Sequence, residues 1–334
     1  MYKYVYAFLS AVLLLVSCGR NEKNPDVSGI KVGIEIKRFD KDLFSADPVN
    51  IEQQISLFTE KYGRFFRLFN NRIIRIGSAN NPQYPELLKL FVTDYTNFKI
   101  YEKTKDIFND LSWLEKELEE SFKLYSYYFP DKQIPEIITY IGGFNQSVVS
   151  DSGILAIGLD KYLGANEQMY NDLGVYSYLR MNMHKEKIIS DCMRLWGMTE
   201  FEFNDSVNNL IAHMIYEGQI MYFVDKMLPF QTDTLKWGFT KSQMNFCVNN
   251  EKEMWTYLIE NKLIFNSDKF TINKFILEGP FTKDFTSESP ARAAVWIGYN
   301  LVKSYMKQKS GLSLADLMNE RDYQRILNQS HYNP

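Results

Sequence analysis

Apolar residues recur along this chain with two periods, and the switch between them outlines its organisation. Ile30, Val32, Ile34 and Ile36 alternate with Lys31, Gly33, Glu35 and Lys37, the period-2 pattern of a strand with one buried face. From Arg38-Phe39-Asp40 onward the spacing becomes helical. Ile55, Phe58, Tyr62, Phe65 and Phe66 share one face of a predicted helix over 52–69. Similar patterns predict helices over 85–95 and 106–128, the latter with Leu111, Leu114, Leu118, Phe122 and Tyr125 on one side. The middle of the chain changes character. Short β-branched or apolar runs at 137–141 and 154–159 are punctuated by Gly142-Gly143 and Ser150-Asp151-Ser152-Gly153. They predict two strands joined antiparallel, with an intervening strand or loop around 144–149. Helices return after Asp160. Asn204-Asp205-Ser206 offers an N-cap and Pro229 a stop for a helix over 207–228, and Ser289-Pro290 reads as N-cap and first turn of a helix reaching about Lys307. Strands enclosed by helices give a helix-dominated α+β class with a small central antiparallel or mixed sheet. No repeat of about 30–45 residues is present, which argues against a solenoid.

The N-terminus carries a different signal. Lys3 precedes an apolar run over 5–16, too short for a permanent span of roughly 20 residues, and Leu15-Val16-Ser17-Cys18 has the form of a lipobox. Residues 1–17 therefore read as a lipoprotein signal peptide and Cys18 as the lipid attachment point, whose several acyl chains suffice for stable anchoring. Polar Gly19-Arg20-Asn21-Glu22-Lys23-Asn24-Pro25 continues into a tether, giving 18–29 as lipidated Cys and tether and 30–334 as a single α+β domain. Cys192 and Cys247 remain; in an envelope compartment they could pair, but each lies in an apolar helical stretch where a buried free thiol is the commoner finding.

Composition narrows the function classes. With 45% hydrophobic and 15% aromatic residues the chain has ample material for a core and is not disordered. Its 38 basic and 41 acidic side chains give a net charge of −3 without a basic stripe, which argues against nucleic acid as a partner. Membrane association needs no basic surface here, because lipid supplies it.

Candidate chemistry centres on the helix over 207–228, apolar on most of its circumference and so a central element. Within it His213 and Glu217 stand i, i+4 and project from one face, a geometry suited to two metal ligands or to acid/base work. The structural alternative is a satisfied pair, with Glu217 bonded to His213 or salt-bridged to Arg292 of the helix after Ser289. Arg292 near a helix start is disfavoured by the dipole unless an acidic partner or an anionic ligand compensates, or the side chain is solvated at the surface. On that helix Ala291, Ala294 and Gly298 let another backbone approach. The three histidines form no His-Glu-x-x-His, and no nucleophile elbow, phosphate loop or dinucleotide fingerprint occurs. Asp131/Lys132, Glu119/Glu120 and Glu251/Glu253 read as solvated faces.

Several runs, taken in order, resemble one family: Arg38-Phe39-Asp40-Lys41-Asp42-Leu43-Phe44, Gly143-Phe144-Asn145, Gly158-Leu159-Asp160-Lys161-Tyr162-Leu163-Gly164, Glu217-Gly218-Gln219-Ile220-Met221-Tyr222-Phe223, and Ser289-Pro290-Ala291-Arg292 with Gly298 and Tyr305-Met306. Behind a lipobox, this order resembles the gliding motility lipoprotein family GldB of the Bacteroidetes. The resemblance implies an outer-membrane lipoprotein of the cell envelope that works with other envelope proteins in gliding or a related envelope or secretion assembly, with no established enzymatic activity and no cofactor. It also implies a zincin-like fold in which 154–159 is the strand and 184–196 replaces the metal helix. There His184, Glu186 and Asp191 would be vestiges of a zinc site, together with His213, Glu217 and Arg292, and no metal ligand set is intact. Gln219 stands where the family pattern suggests Lys. Two alternatives stay open: a metal-dependent hydrolase using His213 and Glu217, and a glycan- or nutrient-binding lipoprotein, which predicts an exposed aromatic platform.

Overall fold

The structure, a computed structural model, describes residues 24–309 and 311–334. The signal peptide, Cys18 and the first part of the tether lie outside the described residues. Within them, sixteen α-helices surround one four-stranded sheet of order β1-β2-β4-β3.

Strands β1 (Ile36–Arg38), β2 (Glu136–Tyr140) and β4 (Ile154–Gly158) run parallel, with Ile36 opposite Ile137 and Ile137 opposite Leu155. Strand β3 (Val148–Asp151) pairs antiparallel with β4 at the sheet edge, Val149 opposite Ala156. The expected intervening strand exists. The antiparallel relation belongs to β3 and β4, whereas 137–141 and 154–159 are parallel neighbours. The reason is that the 141–147 connection carries the chain past the position of β4, which then inserts between β2 and β3. At the N-terminal end the alternation over 30–36 is real as burial, since Val32 and Ile36 are buried while Lys31, Gly33 and Glu35 face solvent, but only Ile36–Arg38 enters the ladder.

Both faces of the sheet are covered, which explains the unbroken apolar run in β4. Its residues part alternately: Leu155 and Ile157 join the larger core, Ile154 and Ala156 the smaller. The smaller core is aromatic. Helix α1 (Phe39–Phe44) places Phe39 against α2 (Ile51–Leu68), where it makes edge-to-face contacts with Phe58, Tyr62, Phe65 and Phe66 and, just beyond the helix, Phe69. The flanking acids of this run are structural too: Asp40, buried, takes Arg38 in a bidentate pair and the Thr139 hydroxyl, and Asp42 takes Lys61 and the Tyr62 hydroxyl. Helix α2 bends at Gly63, whose φ of 44° suits a residue without Cβ. Helix α3 (Tyr84–Thr93) closes this layer. It is followed by α4 (Tyr95–Ile107), which the periodicity missed and merged in part with its successor; Asp94 caps it through Asn97 N at 2.9 Å.

The larger core lies on the opposite face. It takes α5 (Ser112–Tyr128), with the predicted Leu111 to Tyr125 stripe buried, the short α6 (Gln168–Asp172) and α7 (Ser177–Arg180), then α8 (Ile188–Glu200) and the central α9 (Leu210–Met227). Helix α9 is buried nearly all round, as its composition requires, but begins at Leu210 and not at 207. Asn209 is the cap, accepting from Ala212 N at 3.0 Å, and the N–H groups of Leu210 and Ile211 donate to the carbonyls of Asn266 and Ile264. The Asn204 side chain is diverted to Ser206 N and the Arg321 carbonyl, while its backbone N–H donates to the Tyr323 hydroxyl. Peripheral helices follow: α10 (Asp233–Trp237), α11 (Lys241–Asn249), α12 (Glu251–Glu260) and α13 (Lys269–Ile276). Helix α14 (Ala293–Gln308) then crosses α9, before α15 (Leu314–Asn319) and α16 (Tyr323–Ser330).

Glu251 departs from its expected solvated face. It accepts from Trp296 Nε1, Asn300 Nδ2 and the Tyr332 hydroxyl at 2.7–3.0 Å, tying the C-terminal segment to α14. Lys132 is likewise engaged, with Glu200 at 2.7 Å. Glu119 and Glu120 share Lys123 at the surface, and Asp131 is exposed. Cys192 and Cys247 are free thiols, both fully buried. Gln219 is buried and donates to the carbonyls of Leu317 and Glu320, so a neutral amide serves that position by joining α9 to α15.

Candidate functional site

A cleft of about 330 Å³ opens where the edge strand, α8 and the start of α14 converge. One face of α8 forms its floor: Asp191, Arg194, Leu195 and Met198 line it, preceded by Lys187 one turn earlier. Those positions fall at i, i+4, i+7, i+8 and i+11 of one helical stripe, while Ile188, Ile189, Cys192, Met193 and Trp196 on the other side are buried in the core.

The cations of the cleft come from four separate segments. Lys187 is buried and donates to Asp191 Oδ1 at 2.7 Å and to Ser190 Oγ. Asp191 Oδ2 also receives the Tyr162 hydroxyl at 2.9 Å. Lys236, buried, is shared by Asp225 and Asp233. Arg194 Nη2 reaches Glu217 Oε2 at 2.8 Å, and this neighbouring carboxylate raises the guanidinium's already high pKa. Lys161 donates to the Phe144 carbonyl at 3.3 Å, and burial lowers its pKa.

Arg292 completes the wall, by a route that overturns the simple capping expectation. Ser289 does not cap α14. Its Oγ accepts from Thr282 N at 3.1 Å and donates to the Thr282 carbonyl, while the Thr282 hydroxyl donates to the Pro290 carbonyl and accepts from Ala293 N. This lock starts the helix three residues later than expected at its first turn and leaves Arg292 as N-cap in the left-handed conformation, φ 57° and ψ 24°. The side chain is 6% exposed, its Nη2 donating to the Trp237 carbonyl at 2.8 Å and its Nε 2.9 Å from Glu278 Oε1. Burial pushes its pKa down, and the positive charge of Arg194 adds to this.

The sequence-derived candidates divide accordingly. Asp191 and Arg292 enter the cleft, and Glu217 stands behind it through Arg194. The predicted Glu217–Arg292 salt bridge is replaced by Glu217–Arg194 and Arg292–Glu278, because the delayed start of α14 directs Arg292 toward Trp237. His184 pairs locally with Glu186 at 2.9 Å, and neither lines the cleft. His213 stacks on Phe203 with ring centroids 4.3 Å apart and bonds Asn208 at 2.8 Å; burial lowers its pKa, favouring the neutral ring. His213 and Glu217 thus have separate partners despite sharing a helix face. Among the described residues no group of three His, Cys, Asp or Glu side chains is placed to hold a metal ion.

Lys161, Lys187, Arg194, Lys236 and Glu278 escaped the sequence reading. Arg194 alone left a trace, a cation opposite the apolar stripe of α8. The others come from loops and helix ends that only the fold assembles. At the rim, exposed Tyr176 stacks on Tyr178 with centroids 5.6 Å apart and an interplanar angle of 13°, Tyr178 also lining the cleft.

Comparison with curated proteins and with solved structures yields no match. The family model described as gliding motility protein GldB matches residues 20–334, and it takes in the Phe39 aromatic hub, the Asp160 loop, the central helix and the Arg292 turn. The chain belongs to the GldB family of gliding motility lipoproteins, which is not known for enzymatic activity.

Proposed function

We propose that this chain is anchored by lipid at Cys18 to the outer membrane and serves gliding, or a related envelope assembly, by binding other envelope proteins and not by catalysis. Family membership supports the motility and lipoprotein parts of this reading. The observation that favours binding over hydrolysis is the pairing of Glu217 with Arg194 at 2.8 Å, while His213 is held separately by Phe203 and Asn208. An acid/base or metal-ligand pair would need both groups turned to a shared point. Residues 1–17 act in this reading as the signal peptide, 18–29 as lipid attachment and tether, and 30–334 as one domain held near the membrane. A zincin-like ancestry is part of the same reading, supported by helix α8 following β4 and packing against the sheet beside its antiparallel edge strand.

The test is co-purification of partners from membranes, with Cys18→Ala as the unanchored control. Recovery of defined envelope proteins with the wild type supports the proposal, and their loss in the control shows dependence on anchoring. Stoichiometric zinc in the purified protein, lost on His213→Ala, would overturn it in favour of a metal-dependent hydrolase. A glycan- or nutrient-binding role has one observation in its favour, the stacking of exposed Tyr176 on half-buried Tyr178 beside the cleft.

A further inference from the structure

The cleft beside α8 is lined by cations whose anionic partners stand mostly behind its surface. Five of its lining side chains are cationic and two, Asp191 and Glu278, are acidic. Most of the cations are held from behind or beside: Lys187 by Asp191, Lys236 by Asp225 and Asp233, Arg194 by Glu217. Two positions remain under-served. Lys161 has a carbonyl as its hydrogen-bond partner, the neighbouring Asp160 carboxylate being held by the backbone N–H groups of Gly142 and Phe144, and Arg292 has Glu278, whose side chain is 54% exposed and therefore water-screened. Arg292 Nη1 and Arg194 Nε are buried with no hydrogen-bond partner among the described residues. Buried guanidinium N–H groups are normally satisfied, so orphans on two neighbouring arginines of one cleft point to a missing acceptor. The two arginines also repel each other, and an anion between them would relieve that repulsion.

The backbone is arranged to the same end. The Thr282–Ser289 lock holds Arg292 in a left-handed conformation that non-glycine residues rarely adopt, at the N-terminus of a sixteen-residue helix whose dipole favours an anion. Placing a buried cation at that end opposes the dipole unless negative charge joins it.

We propose that this cleft is an oxyanion-binding site that takes the carboxylate or phosphate group of a small ligand. Arg292, Arg194 and Lys161 form its cationic wall, and Glu278 is the group that the ligand displaces. A planar guanidinium matches two oxygens at once, which suits either group. The volume admits a small molecule or the end of a chain, and Tyr178 at the rim offers a ring face to whatever the anionic group is attached to. The site is independent of any protein partner proposed above, since it rests on the cleft alone.

The test uses the full-length lipoprotein in detergent, titrated calorimetrically with sodium phosphate and, separately, sodium acetate, at ionic strength held constant with chloride. Saturable binding of phosphate, of acetate or of both is expected, and the stronger of the two arms identifies the ligand's oxyanion. Arg292→Gln should weaken it at least tenfold and Lys161→Gln severalfold, whereas Glu278→Gln, which removes the internal competitor, should tighten it severalfold. Glu278→Gln and Lys161→Gln carry the test if Arg292→Gln does not fold by circular dichroism. Absence of saturable binding beyond the chloride control would overturn the proposal. So would affinities that stay unchanged in Lys161→Gln and Glu278→Gln.

Discussion

Gly218 of α9 and Gly298 of α14 meet at the crossing of the two central helices, so close that a Cβ on Gly218 would overlap the Gly298 carbonyl and one on Gly298 the Met214 carbonyl. The small-residue face expected around Gly298 thus has a specific counterpart, a glycine on the facing helix. Backbone-to-backbone contact leaves no rotamer that can relieve an added methyl. Gly298→Ala should therefore destabilise the protein by about 3 kcal/mol or more, or prevent folding. Gly311→Ala, where a Cβ meets open space, should stay within about 0.5 kcal/mol. Urea unfolding followed by circular dichroism decides it.

The pairing of Glu217 with Arg194 predicts a particular pattern of coupling. Arg194→Met leaves Glu217, only 9% exposed, without its partner and should cost about 3 kcal/mol. A double-mutant cycle between Arg194→Met and Glu217→Gln should return at least about 1 kcal/mol of interaction, and the cycle between Arg292→Gln and Glu217→Gln under about 0.5 kcal/mol. The reverse ranking would restore the pairing first expected from the sequence.

Asp160 makes stability depend on pH in an identifiable direction. Its carboxyl is fully buried, and burial raises its pKa to about 6, even though Phe144 N at 2.6 Å and Gly142 N at 3.2 Å donate to it. A folded-state pKa above the unfolded one contributes stability that is fully present below about pH 4 and is lost as pH rises through 6. The wild type should thus lose roughly 3 kcal/mol relative to Asp160→Asn between pH 4 and pH 7. Denaturation midpoints of the two proteins across that range test this; parallel curves would contradict it.

Phe39 is the hub of the smaller core, with five edge-to-face ring contacts and no exposed surface. Phe39→Ala should destabilise by about 3–5 kcal/mol, and Phe39→Leu by distinctly less, since Leu refills part of the volume but forms no ring pairs. Thermal unfolding of both variants gives the comparison.

Cys192 and Cys247 should resist thiol reagents in the native state. Both are fully buried, and burial pushes the Cys247 thiol up to about 12 and the Cys192 thiol well above its usual value. Thiolate is the reactive form. Labelling that begins only as the protein unfolds in denaturant is the expected result; labelling of either at native rates would contradict the burial.

Helix-dominated class, the buried stripe of α5, the all-round apolar α9 and the approach at Gly298 were legible in the sequence, because each depends on the spacing of apolar or small residues within one segment. The family resemblance was legible too, from the order of short runs along the chain. Element starts were less so. Asn204 and Ser289 have ordinary capping chemistry, yet their side chains are used elsewhere, by Ser206 and the Arg321 carbonyl and by Thr282, and the helices begin at Leu210 and Ala293 instead. Strand direction was misjudged for β2 and β4 because local pattern carries no information about which strand inserts between which.

The site shows the division most clearly. The sequence by itself determined that Glu217 and Arg292, if buried, call for compensating partners, since both lie where burial or a helix dipole disfavours an isolated charge. Tertiary structure decided who the partners are. Arg194 reaches Glu217 from α8, Glu278 reaches Arg292 from a loop, and Lys161 and Lys236 join them from segments far apart in the chain. The physical reason is range: hydrophobic periodicity acts within a few helical turns, whereas Coulomb interactions choose among whatever groups the packed backbone brings within a few ångströms.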